Sequence, residues 1–193
     1  MPKIGAEAGR RAALINAVIA AVGRAGTLEV TVAQIARDAG MSSALAHHYF
    51  GSKDRMFLAA MRRILSVYGD AVSKELARET TPRGRLDAIL RASFERQNFE
   101  REVVAAWLTF YALTRRNDEA RRLLAAYHGR LRSNLRSVLR PLTDRPEEEA
   151  ERLGALIDGI YLRAALVSDP LDPACDGAAA LAMARGYVEE VLR

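Results

Sequence analysis

Apolar residues recur along this chain at intervals of three and four, nearly from end to end, the spacing of helices with one buried face. Leu14, Ile15, Val18 and Val22 form the first such stripe and predict a helix over about residues 7–25, ended by Gly26. Val32, Ile35, Ala36 and Ala39 stand at i, i+3, i+4 and i+7 and predict a second helix over about residues 32–39. Thr31 can cap it, with Gln34 as the return partner of a capping box. Gly40 follows as a left-handed terminator, Met41 as an apolar plug and Ser42 as the cap of a very short helix over about residues 43–49. Phe50-Gly51-Ser52 breaks the chain again, and a fourth helix starts near Lys53 and runs to about Arg78. The nearest candidate strand, Leu28-Glu29-Val30-Thr31-Val32, alternates only briefly, and Thr31 reads better as a cap.

Beyond Pro82 the pattern predicts helices over about residues 82–98, 100–115 and 118–140. Pro141, Asp144 and Pro146 mark a loop. The next helix covers about residues 147–168, with Glu147, Glu148 and Glu149 favourable in its first turn. Asp169-Pro170-Leu171-Asp172-Pro173 is a break, and a last helix covers about residues 174–192. No internal repeat has a fixed period. The fold class is therefore all-α, with about nine helices.

Composition adds one fact to this. The net charge of +5 is not spread evenly: residues 1–63 hold nine Lys or Arg against four Asp or Glu, whereas residues 64–193 hold twenty of each. A small basic module beside a neutral body suits a polyanion on one side only. The single cysteine, Cys175, excludes an intramolecular disulfide. The segment Met1-Pro2-Lys3-Ile4-Gly5 lacks the apolar core of a secretory signal, and no apolar run approaches the ~20 residues that span a bilayer. The expectation is a cytoplasmic protein without a membrane partner.

The stretch from Thr31 to Tyr49 has the parts of a helix-turn-helix: a striped helix, Gly40 for the reversal, and a second helix held with one face free. Ala36 is small where the two helices meet. The following Ala44-Leu45-Ala46-His47-His48-Tyr49-Phe50-Gly51-Ser52-Lys53-Asp54 resembles the TetR family of repressors, over about residues 8–60. The resemblance implies that the helix at 43–49 enters the major groove of operator DNA. It implies that Ser43, Ala44, His47 and His48 face bases or nearby backbone. Thr31, Tyr49 and Lys53 match positions that contact phosphates, and Ser42, the cap of the same short helix, is counted among the DNA-binding residues. Ala44 and Ala46 offer only methyl contacts, so hydrogen-bonded readout would rest on Ser43 and the histidines. Thr31 can cap and contact phosphate together, and Tyr49 has a second reading as half-buried packing. His47 and His48, adjacent and about 100° apart on a helix, do not form a metal site without a nearby third ligand.

The rest of the chain is similar to the choline-responsive BetI branch of that family. The likeness runs through Met1–Gly5, Ala106-Trp107-Leu108-Thr109-Phe110 and Ala155-Leu156-Ile157-Asp158-Gly159-Ile160-Tyr161-Leu162-Arg163. It implies a DNA-binding domain over residues 1–52 and a ligand-binding and dimerisation domain over 53–193, in a repressor of glycine betaine synthesis genes. A quaternary ammonium takes aromatic faces and a carboxylate. Phe94, Trp107, Phe110, Tyr111, Asp158 and Tyr161 supply them in sequence. Two readings stay open, an aromatic cage or plain core, with Asp158 facing a cation or paired with an Arg. The resemblance also places a four-helix dimer interface on the last two long helices. Leu153, Leu156, Ile157, Ile160 and Ala164 form one stripe there, and Leu181, Ala184, Tyr187, Val188 and Val191 form the other. Inside a monomer both stripes would be core. No catalytic constellation, phosphate loop, cofactor fingerprint or metal set is present in the sequence. Two alternatives stand beside this reading: a TetR-like repressor of a different operon that senses another small apolar or cationic ligand, and a helical adaptor without DNA binding, which leaves the basic first third unexplained.

Overall fold

The computed structural model describes residues 4–26, 29–167, 172 and 175–192. Met1, Pro2 and Lys3, Leu28 of the alternating segment, most of the break at 169–173 and Ala174 lie outside the described residues. The helices are α1 (Ile4–Ala25), α2 (Val32–Asp38), α3 (Ser43–Phe50), α4 (Lys53–Leu76), α5 (Pro82–Ser93), α6 (Arg101–Thr114), α7 (Asp118–Leu139), α8 (Pro146–Leu166) and α9 (Gly177–Val191). There is no strand among the described residues.

The predicted punctuation is present in detail. Thr31 Oγ1 accepts the Gln34 N–H at 3.1 Å while Gln34 Oε1 accepts the Thr31 N–H at 2.8 Å, closing the capping box. Gly40 adopts φ +67°, and the Met41 N–H returns to Ala36 O at 2.8 Å. Ser42 caps α3 through the Leu45 N–H, and Ser52, expected only as part of a break, caps α4 through the Arg55 N–H.

One predicted element is broken. The helix expected over 82–98 stops at Ser93, and a 3₁₀ turn over Arg96–Asn98 follows. Side chains occupy the carbonyls that a longer helix would bond through its own backbone. The Asn98 amide donates to Ala92 O at 2.9 Å, and the Tyr161 hydroxyl donates to Ser93 O and, at 3.1 Å, to Asn98 O. Tyr161 lies on α8, far along the chain, so no local pattern signals this stop.

A single hydrophobic core runs from Leu14, Val18 and Val22 on α1 through Phe57 and Met61 on α4 to Phe110 on α6, Leu135 on α7 and Ile157 on α8. Helix α1 packs on α2, α4 and α6. It meets α6 at Gly23, where a Cβ would lie 2.5 Å from Glu102 Cα; the two backbones touch because no side chain separates them.

Half of the residues expected at a dimer interface on α8 and α9 lie inside the subunit. Leu153, Ile157, Ile160, Ala164 and Ala184 are buried inside the subunit and cannot face a partner. Leu156, Leu181, Tyr187, Val188 and Val191 are half-buried against the same core. The apolar groups left outward are Leu162 (41% exposed), Leu166 (66%) and Met183 (48%). The strongest stripe of a helix goes to the nearest core, and a second surface has to use what remains. Buried Glu149 at the start of α8 accepts from Tyr187 of α9 at 2.8 Å and from Arg152 at 2.7 Å, holding the two helices together.

The α1–α6 contact predicts opposite effects for one substitution at two glycines of α1. Gly9→Ala meets open space, and its helix propensity should stabilise the protein by up to about 1 kcal/mol. Gly23→Ala forces α1 from α6, and overpacking of roughly 1–3 kcal/mol should outweigh that gain. Urea unfolding followed by circular dichroism distinguishes them. Equal midpoints for the two variants would refute the close contact.

Candidate functional site

At one end of the molecule α2, Gly40 and α3 hold a short helix with an outward face. Ala36 and Ala46, both almost fully buried, let α2 and α3 approach. Ala46 therefore packs inward; the methyl contact with DNA expected of it falls to Ala44 alone. Ala44, His47 and His48 are exposed on one side of α3, with Ser43 half-buried beside them. The His47 ring nitrogen Nδ1 donates to Gly51 O at 3.0 Å, fixing the ring and leaving Nε2 outward. Tyr49 is half-buried, its ring 5.7 Å from that of His48.

Sequence reasoning missed Arg11. From α1 it donates to Tyr49 O at 2.7 Å and lies over the rings of Tyr49 and Phe50 at 5.7 and 5.3 Å. It thus clamps the end of α3 through a carbonyl and two π-faces. Arg24 of α1 pairs with Asp38 at the end of α2 at 2.6 Å. Arg37 and Lys53 take part in no ion pair among the described residues. Lys53 stands half-exposed at the start of α4. The face offers exposed donors and uncompensated cations around one projecting helix, which is chemistry for a phosphate backbone.

In the body, aromatic side chains from four helices converge. Tyr68 of α4, Trp107 of α6, Tyr127 of α7 and Tyr161 of α8 line an interior cavity of about 10 Å³, with Ile64, Ser93, Asn98 and Ile157 completing the wall. The Trp107 and Tyr127 rings are 4.8 Å apart, and Tyr161 is 6.1 Å from Trp107. In this closed state the space is about that of one water.

Of the residues expected to bind ligand, Trp107 and Tyr161 line this cavity. Phe110 is fully buried against Trp107, and Phe94 packs behind Tyr161; neither reaches the cavity. Tyr111 donates to Asp158 Oδ1 at 3.1 Å, and His128 Nε2 lies 2.9 Å from Asp158 Oδ2. Asp158 thus takes His128 and Tyr111 as partners, where an Arg had been the alternative to a cation. Sequence reasoning missed Tyr68 and Tyr127, which reach the cavity from helices distant in the chain.

The carboxylate colours the whole cluster. Burial pushes up the hydroxyls of Tyr68, Tyr111, Tyr127 and Tyr161, and the negative charge of Asp158 pushes in the same direction. Tyr68 reaches about 12. These phenols stay protonated and present neutral, electron-rich faces. Neutral π-faces beside one carboxylate suit a cation that cannot donate hydrogen bonds.

Comparison with known proteins agrees in both halves. A model of bacterial regulatory proteins of the tetR family matches residues 14–60. One described as the C-terminal part of BetI-type transcriptional repressors matches residues 82–193. The chain is 47% identical over 190 residues to the HTH-type transcriptional regulator BetI of Brucella anthropi, covering 97% of this chain and 96% of that protein. The BetI of Rhizobium meliloti is 45% identical over 197 residues, covering 100% and 94%. Among solved structures, a transcriptional regulator from Saccharomonospora viridis in complex with choline superposes with a TM-score of 0.82 at 24% identity, covering 95% and 96%. A TetR transcription regulator from Haloarcula marismortui gives 0.82 at 22%, covering 95% and 98%.

The pinned Tyr161 predicts a stability effect that needs no ligand. Tyr161→Phe removes the donor to Ser93 O and Asn98 O and leaves buried carbonyls unpaired, a loss of about 1–3 kcal/mol in urea unfolding. Tyr127→Phe, whose hydroxyl makes no hydrogen bond among the described residues, should change stability far less. Equal losses would refute the anchoring role.

Proposed function

The chain belongs to the TetR family of bacterial regulatory proteins, in its BetI-type branch, and we propose that it is a homodimeric repressor of glycine betaine synthesis genes whose effector is choline or a similar quaternary ammonium. As a member of that family it is a DNA-binding transcription regulator under the control of a small molecule. The convergence of Trp107, Tyr127, Tyr161 and Tyr68 beside Asp158 carries the effector assignment. The choline bound by the regulator from Saccharomonospora viridis supports the same ligand class.

In this reading residues 1–52 form the reading head and 53–193 the body, working in the cytoplasm. Ser43, Ala44, His47 and His48 enter the major groove, while Thr31, Ser42, Tyr49 and Lys53 hold the flanking phosphates. Two heads must sit about 34–36 Å apart to read successive major grooves. The dimer would form through the outward faces of α8 and α9, where Leu162, Leu166 and Met183 lie beside Gly159 and Gly186, whose faces are open. An outward apolar surface of this kind suits a protein partner. Choline can shift the operator equilibrium only by binding one arrangement of the body more tightly than the other. The closed cavity fits this, since a ligand larger than one water must expand it.

The central test is fluorescence anisotropy with the chain's own upstream DNA. Binding should be sequence-preferring and should weaken by about 10³–10⁵ between 50 and 200 mM salt if six to ten phosphates are contacted. Choline should change the affinity by about fivefold or more. Trp107→Leu should keep DNA binding and lose the choline response. A Trp107→Leu protein that still responds would refute the cage as effector site, and salt-insensitive binding would refute the DNA-reading head.

The dimer has its own test. Leu162→Asp with Leu166→Asp should give a monomer in analytical ultracentrifugation and reduce operator affinity by about 10²-fold or more, as bivalency is lost. A folded double variant that remains dimeric would place the interface elsewhere.

A further inference from the structure

Two hollows of the body share a wall. Inside is the closed cavity around Trp107 and Tyr161. Outside, an open groove of about 550 Å³ runs between α4 and α7, past Gly69, Ser73, Leu123 and Arg130. Tyr68 and Tyr127 line both. Their rings meet edge-on with centroids 6.0 Å apart, and the Trp107 ring lies 4.8 Å behind Tyr127. Three other hollows share no lining residue with the cavity, among them a space of about 450 Å³ between α7 and α8. The other two are the cleft of about 750 Å³ beside α9 and the pocket of about 290 Å³ at the end of α1.

The walls also differ in how they are held. Towards the larger cleft, Tyr161 is tied to two carbonyls and packed by Phe94 and Phe99. Towards the groove, Tyr68 has one hydrogen bond, to Ser93 Oγ at 3.2 Å, and the Tyr127 hydroxyl has none among the described residues. We infer that the α4–α7 groove is the access route to the interior cage and that the Tyr68–Tyr127 ring pair is its gate. The inference rests on the reading that the cage takes the cationic effector. Tyr68 belongs to α4, the helix that begins at the reading head. Parting the rings to admit a ligand therefore moves α4 against α7, so admission and signalling act on one helix.

Trp107 is the chain's single tryptophan, so its fluorescence reports on the cage alone. Acrylamide is a neutral quencher, unaffected by the charge of Arg130 at the groove. In the full-length protein Tyr127→Ala should raise the acrylamide quenching constant of Trp107 about threefold or more, by removing a ring from a close-packed wall. Phe99→Leu, which thins the packing behind Tyr161 on the side of the larger cleft, should leave it nearly unchanged. Quenching unchanged in a folded Tyr127→Ala protein, or raised equally by Phe99→Leu, would overturn the gate. With choline, stopped-flow fluorescence of Gly69→Leu, which fills the groove without touching the cage, should show association and dissociation slowed together by about tenfold at constant Kd. Rates equal to those of the unmodified protein would overturn the route. Absence of any choline effect on Trp107 would instead remove the effector reading, while the acrylamide comparison still judges the gate.

Discussion

Helix α6 is buried over far more than one stripe. Val103, Val104, Ala106, Trp107, Thr109, Phe110 and Leu113 all lie inside, and the helix packs against α1, α4, α7 and α8. A helix enclosed in this way cannot shift without displacing its neighbours, because a close-packed interior has no slack. The α1 contact at Gly23 is tighter still, since backbone meets side-chain root there. The reading head and the aromatic cavity are therefore fixed to the same central rod, one through α1 and the other through Trp107.

Helix α4 supplies the second connection. Its first turn follows Ser52 at the head, its middle carries Tyr68 into the cavity wall, and its end enters an ion-pair network. There Arg91 of α5 binds Glu75 and Glu79 at 3.2 and 2.9 Å, together with Asp87, and Arg185 of α9 reaches Asp87 at 2.6 Å. The Arg185 and Arg91 guanidinium groups hold the Asp87 carboxyl below the usual carboxylate range. The network links α4, α5 and α9, so the helix that leaves the head is restrained at its far end beside the outward α9 face. A change in the cavity therefore has two rigid connections to the helix-turn-helix end of the molecule, one through α1 and one through α4.

The signals legible in the sequence were local ones. Gly40, Thr31, Gln34 and Ser42 act within a few residues of themselves, so their types and spacing were enough to place α2, the turn and α3. Arg11 was not legible as a clamp, because its partners on α3 lie 38 residues away and nothing about an exposed arginine names them. The break after Ser93 escaped for the same reason, since a tyrosine on α8 imposes it. Tyr68 and Tyr127 have no sequence neighbour that marks them as companions of Trp107; only the packing of α4 and α7 on α6 brings the rings together.

By itself the sequence determined most of the helices, the caps of α2 and α3, the basic first third and the kinship of both halves, because periodicity, capping and charge depend on near neighbours and on residue type. Which apolar stripe of α8 and α9 turns inward, which aromatics meet around the cavity, and what Asp158 pairs with were decided by tertiary structure. Each helix there carries more than one apolar or polar face that could be buried, and only the competition among all the helices for one shared core selects between them.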